Sequence, residues 1–234
     1  MDAESQLLLF ALSTPMEILN QDCSPSHSSP RMYLDIPFFD VSESWGINTR
    51  DELIQMIYRM TDNGHACDLD AFYSLWFRLS PGEWQRYTSE LNNEGRAYAQ
   101  FVAETAAICG EAGIKAWDYV RMGFLCRIGV LNKWLTEEES LWLQSRLYVR
   151  AIHFYHSWMH YFAAYSLGRL YWQCPGDPYG QLTEALTRKK YDQASDRMFN
   201  ELIAGIEGFY IELPWKALKA YPACPQTLRG VSDL

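Results

Sequence analysis

Residues 137–173 read EEESLWLQSRLYVRAIHFYHSWMHYFAAYSLGRLYWQ, and this stretch decides the fold class. It contains no proline. Leu147, Ala151, Phe154, Trp158, Phe162 and Tyr165 recur at three- and four-residue spacing, the period of one apolar helix face. Thr136 followed by Glu139 is a capping-box start, so the run Glu137–Glu139 reads as an exposed helix N-terminus. The pattern leaves room for a break near His156-Ser157.

The same period recurs on either side. Upstream, Ile114–Leu131 and the alanine-rich Ala97–Cys109, closed by Gly110, are helical. Asn92–Gly95 breaks the chain before them, and Ser80-Pro81-Gly82-Glu83 restarts it with Ser at the N-cap and Pro at the first helical position. Asp70–Leu79 is amphipathic. Arg50–Thr61 places Leu53, Ile54, Ile57 and Met60 on one face, between an Asn48-Thr49 N-cap and an Asn63-Gly64 stop. A first helix covers 5–20, kinked or split at Pro15. Residues 21–44 form a long connection with an extended piece at Met32–Leu34. Its Ser/Pro-rich segment 24–31 is the expected protease-sensitive site. Cys174–Pro178 is a turn, Asp192–Gly205 a further helix, and Leu213-Pro214-Trp215 leads into a tail. No alternating strand pattern or internal repeat appears. The expectation is therefore all-α: one multi-helix domain over 1–234 with irregular packing, a helical core at 45–175 and a helical region with a tail at 176–234.

Composition bounds the function. Of 234 residues, 48% are hydrophobic, enough for a large core, and 15% are aromatic. The formal net charge of −9 disfavours nucleic acid and anionic membrane surfaces as partners. The short basic run Arg188-Lys189-Lys190 reads as a solvated helix face. The six cysteines are scattered without a C-x-x-C pair, and Met1-Asp2-Ala3-Glu4 is acidic where a signal peptide is basic, so a cytoplasmic protein with reduced thiols is expected.

Three groups of residues are candidates for chemistry. Asp118 and Arg121 lie three apart on the 114–131 helix, with Arg121 among Trp117, Phe124, Leu125 and Ile128. A guanidinium on an apolar arc needs a hydrogen-bonded anion, and Asp118 is one turn away. The pair reads as an ion pair that docks the helix or, alternatively, as an anion-binding or catalytic pair. His153, His156 and His160 fall on one helical face, a weak candidate for metal. Arg146 and Arg150 share that face and no carboxylate completes a site, so no metal and no cofactor are expected. Cys67, beside His65, reads as a small buried thiol. No P-loop, nucleophile elbow, dinucleotide fingerprint or H-E-x-x-H motif is present.

Several short motifs stand in a definite order. Phe10-Ala11-Leu12 leads to Asn20. Trp45-Gly46-Ile47 opens a stretch ending in Gly64-His65, and Ala116-Trp117-Asp118-x-x-Arg121 follows. Then come Thr136–Glu139, Ser157-Trp158, and Gly168-Arg169 with Trp172. This order resembles the bacterial YbeU/YbeR-like family of uncharacterised proteins over residues 5–175. The resemblance implies no activity, substrate or cofactor. It marks Trp117, Asp118, Arg121, Trp158, Gly168 and Arg169 as family-typical positions and leaves the three histidines outside the pattern. The expected function is a non-enzymatic module that binds an unknown protein or peptide partner. The alternative is an enzyme or small-anion binder with a pocket built on Asp118, Arg121 and Arg169.

Overall fold

A computed structural model describes residues 1–19, 24–174 and 213–229. Its elements are α1 (Ala3–Ala11), α2 (Thr14–Leu19), α3 (Ser42–Trp45), α4 (Arg50–Asp62), α5 (Cys67–Arg78), α6 (Pro81–Glu90), α7 (Asn93–Cys109), α8 (Lys115–Leu131), α9 (Glu137–Phe154), α10 (Trp158–Trp172) and a 3-10 turn at Gln226–Leu228. The fold is all-α. Among the described residues no strand forms, and the extended piece at Tyr33 makes one isolated antiparallel bridge to Pro25. No helix among them is long and apolar enough to cross a membrane.

Local chemistry sets the boundaries. Pro15 falls in the first turn of α2, where its missing N–H has no intrahelical partner to lose, so the first helix splits into α1 and α2. Ser80 and Glu83 close a reciprocal capping box at α6, and Thr136 and Glu139 do the same at α9. Ser157 accepts the His160 N–H at 3.1 Å and starts α10, which places the break of the 137–173 stretch at Tyr155–Ser157. Two starts differ from the sequence expectation. Asn92 caps the Gly95 N–H at 2.8 Å, so α7 begins at Asn93 rather than after Gly95. α5 begins at Cys67 rather than Asp70. The short α3 also interrupts the 21–44 connection. The expected helix at Asp192–Gly205 and the basic run Arg188–Lys190 lie outside the described residues.

The contacts group the chain into two units. The described residues of the first come from 1–62, 119–153 and 198–234, and those of the second from 63–118 and 154–197. The first unit buries Leu8, Leu9 and Phe10 of α1 with Leu12 just after it, Leu53 and Ile57 of α4, Phe124, Leu125 and Ile128 of α8, and Leu143 and Leu147 of α9. Its tail is tied down as well. The Tyr148 hydroxyl donates to the Lys216 carbonyl at 2.7 Å, and Leu213, Leu218 and Leu228 are buried. In the second unit α7 packs against α5, α6 and α10, burying Leu69, Tyr73, Phe101, Val102, Ile114, Phe162 and Tyr165. Each such side chain contributes about 1.5–3 kcal/mol by leaving water.

Candidate functional site

Asp118 is 2% exposed, and its carboxylate faces the turn between α4 and α5. Oδ1 accepts the His65 backbone N–H at 3.1 Å, Oδ2 accepts the Ala66 N–H at 2.9 Å, and His65 Nδ1 lies 3.4 Å from Oδ1. The carboxylate thus satisfies two donors just ahead of α5. Gly64 makes the approach possible, since a Cβ there would stand 2.2 Å from Asp118 Cγ. The Gly64-His65 and Asp118 motifs, far apart in sequence, are therefore one structural feature.

Arg121 takes a different partner. Its guanidinium lies 4.4 Å from the centroid of the Trp45 ring, within cation–π range. Trp45 in turn stacks on Phe124 at 6.1 Å. The Asp118 carboxylate therefore engages the backbone N–H groups of its turn, and the Arg121 guanidinium lies over an aromatic face. Trp117 meets Gly168: a Cβ at Gly168 would lie 2.4 Å from Trp117 Cβ, and the Trp117 ring packs against Tyr165 and Trp172. Trp158 is 5% exposed and stacks on Phe162. Arg169 is half-buried on α10.

His153 is exposed on the last turn of α9. His156 and His160 lie across the break at the start of α10, so the continuous helix assumed for the three histidines ends before His156. The His156 N–H donates to His160 Nδ1 at 3.3 Å, and the rings are 5.5 Å apart. Partial burial depresses the His160 pKa, and His156 adds to this against the Cys109 and Ile108 carbonyls. Among the described residues no three His, Cys, Asp or Glu side chains gather as a metal site. Cys67 is exposed rather than buried. Partial desolvation and then Asp70 push its thiol above the ordinary range, away from the reactive thiolate.

The strongest charge cluster was not singled out from sequence. Arg127 and Glu17 are paired with both side chains fully buried. Arg127 Nη1 also reaches Ser13 Oγ at 3.2 Å, while Nη2 donates to the carbonyls of Ser26 and Ser29, the latter at 2.8 Å. Glu17 Oε2 lies 2.5 Å from His27 Nδ1, a close contact not aligned as a hydrogen bond. Burial pushes the Glu17 carboxyl up, but Arg127 and then His27 outweigh it, so its pKa falls below the usual range. The signal for this cluster is a lone charge inside an apolar run: Arg127 in Phe124-Leu125-Cys126-Arg127-Ile128, and Glu17 in Pro15-Met16-Glu17-Ile18-Leu19. The loop 24–31, expected to be loose, is held by this guanidinium. Glu139 departs from expectation too. It is 3% exposed and bound by Arg50 and the Thr227 hydroxyl, each at 2.5 Å.

In the second unit an open groove of about 380 Å³ runs between α6 and α7. Ala99, Ala103 and Trp84 give it an apolar floor, and Gln85, Thr88, Ser89, Arg96 and Gln100 give it a polar rim. Trp84 is braced edge-on by Trp76 at 5.0 Å, and the Arg96 guanidinium donates to the Ser89 carbonyl at 2.9 Å. Asp118, Arg121 and Arg169 do not line this groove.

Three comparisons bear on kinship. The family described as "Protein of unknown function (DUF1266)" matches residues 40–215. Two Escherichia coli (strain K12) proteins, "Uncharacterized protein YbeU" and "Uncharacterized protein YbeR", are 63% and 60% identical to the chain, each over the full length of both sequences. No solved structure matches the chain.

Proposed function

The chain belongs to the DUF1266 family of proteins of unknown function, and on that premise we propose that it is a non-enzymatic protein- or peptide-binding module that works through the α6–α7 groove. The observation that carries this reading is the groove itself. It has an apolar floor that includes the Trp84 ring, and a rim of amide, hydroxyl and guanidinium groups. That combination suits a peptide, whose side chains fill the floor while its backbone finds donors and acceptors on the rim. A stable dimer interface buries roughly 1,600 Å² in total. A groove of about 380 Å³ suits a short segment of another protein better than a second copy of the chain.

The alternative pocket on Asp118, Arg121 and Arg169 fits the geometry less well. Asp118 already accepts two backbone N–H groups, and Arg121 lies on Trp45. A cytoplasmic location belongs to the same reading, supported by the free thiols of Cys67, Cys109, Cys126, Cys174 and Cys224. So does a partner that is neither nucleic acid nor membrane, given the net charge of −9.

The test is affinity capture from a lysate of the native bacterium with quantitative mass spectrometry. Tagged wild-type chain is compared with Ala103→Arg, which fills the half-buried floor of the groove. At least one protein should be enriched by the wild type and lost from a variant with an unchanged circular dichroism spectrum. Identical captures by the two would refute the groove as the docking site.

A further inference from the structure

The sequence of α6, Pro81-Gly82-Glu83-Trp84-Gln85-Arg86-Tyr87-Thr88-Ser89-Glu90, is poorly suited to stand alone as a helix. Gly82, Tyr87, Thr88 and Ser89 are weak helix formers. Its 10 residues also fall short of the roughly 12–15 that an isolated helix needs in water. Such a helix depends on packing, yet α6 buries none of its residues. Its neighbours do: α5 buries Leu69 and Tyr73, and α7 buries Phe101, Val102 and Ala106.

The ties that hold α6 are few. Trp84 meets Trp76 edge-on at 5.0 Å, and Tyr87 meets Phe72 at 6.2 Å. Both α6 rings are only half-buried. Among the described residues one hydrogen bond joins α6 to another helix, from the Arg96 guanidinium of α7 to the Ser89 carbonyl at 2.9 Å. The caps of α6 are internal. Ser80 and Glu83 bond one another, and the Leu91 N–H donates to the Thr88 carbonyl. The flanking helices end on caps of their own: the Leu79 N–H donates to the Leu75 carbonyl of α5, and the Asn92 side chain accepts the Gly95 N–H of α7. Residues 81–90 therefore leave their place without breaking a cap of α5 or α7.

We propose that α6 is a gate on the α6–α7 groove, a cooperative unit that opens and closes while α5 and α7 stay folded, with the Arg96–Ser89 hydrogen bond as its latch. Trp84, Gln85, Thr88 and Ser89 form one side of the groove, and Arg96, Ala99, Gln100 and Ala103 form the other, so opening takes one whole side away. The apparent affinity of an occupant then follows the fraction of chains in the admitting state. The regulatory role of the gate rests on the reading of the groove as a peptide site, while the opening itself is a property of the chain alone.

The experiment is amide hydrogen exchange with mass spectrometry on the full chain, with no partner present. A helix of this length melts once lifted from its neighbours, so its amides report opening directly. Peptides within 81–90 should exchange at least about tenfold faster than those from the buried stretches of α5 and α7, as local opening requires. Arg96→Ala should speed α6 exchange by a further factor of at least about three, the effect of one lost hydrogen bond, and leave α5 and α7 as they were. Gln100→Ala removes a groove residue bonded to Glu104 within α7, and should leave α6 exchange at the parent rate. Three results would overturn the gate: α6 exchanging in step with α5 and α7, equal α6 rates in Arg96→Ala and Gln100→Ala, or Arg96→Ala speeding all three helices alike. Capture by the Ala103→Arg variant tests the groove separately, so either reading can fail without the other.

Discussion

Replacing the buried charges one at a time and then together is the sharpest test of how the first unit is held. Glu17→Leu leaves the Arg127 guanidinium without its anion at a position with no exposed side-chain surface. Arg127→Met strands the Glu17 carboxylate beside His27 and removes the donors to Ser26 and Ser29. Breaking a buried pair from one side costs about 3–5 kcal/mol. For a chain of this size, about 1 kcal/mol moves Tm by roughly 2–4 °C, so each single change should lower Tm by roughly 6–20 °C. Glu17→Leu with Arg127→Met removes both charges at similar volume. This double variant should be more stable than the sum of the two single losses predicts, by at least about 1 kcal/mol, because neither charge is left unpaired. The assay is urea unfolding followed by far-ultraviolet circular dichroism, run on Glu17→Leu, Arg127→Met, the double variant and the parent. Losses that add to within about 0.5 kcal/mol would refute coupling across the pair. The pair also predicts a pH dependence. Since the Glu17 pKa is depressed in the folded chain, its contribution is complete above the ordinary carboxyl value of 4.5 and is lost as pH falls through the folded value.

The two close-approach glycines give a second prediction. Gly64→Ala drives a Cβ toward Asp118 Cγ, and Gly168→Ala drives one toward Trp117 Cβ, so each should cost about 1–3 kcal/mol in urea unfolding. A neutral result at either would show that the contact relaxes freely. The third concerns His160, whose pKa lies below 6.5 in the folded chain. Its contribution to stability is complete above 6.5 and is lost as pH falls through the folded value, so the parent should lose more Tm than His160→Gln between about pH 7.5 and about pH 5. Equal losses would show that His160 does not titrate in this way.

The helices were legible because their signals are local. The Ser80–Glu83 box, the Thr136–Glu139 box and the apolar period of 137–173 need only neighbours within a turn or two to be read. The α7 start is less legible because Gly95 signals a break, whereas Asn92 caps its N–H and draws it into the helix. The partners of side chains were less legible. The spacing of Arg121 on its apolar arc points to an anion within the same helix and gives no sign of the aromatic ring from residue 45 over which its guanidinium lies. Arg127 stands alone among apolar residues, and no local pattern reveals its anion, which lies 110 positions away. The anchoring of 24–31 is hidden for the same reason. Ser and Pro predict an exposed connection, and only the fold brings a buried guanidinium under the carbonyls of Ser26 and Ser29.

The meeting of Gly64 with Asp118 has a consequence for how such sequences can drift. A side chain at position 64 is sterically admissible only if position 118 shrinks. A shrunken position 118 in turn leaves the His65 and Ala66 N–H groups seeking another acceptor. Neither change is easily tolerated first, so the two sites behave as a single inherited character. Where one is altered in a descendant chain, the other should be altered with it, and the turn between α4 and α5 should have changed its path.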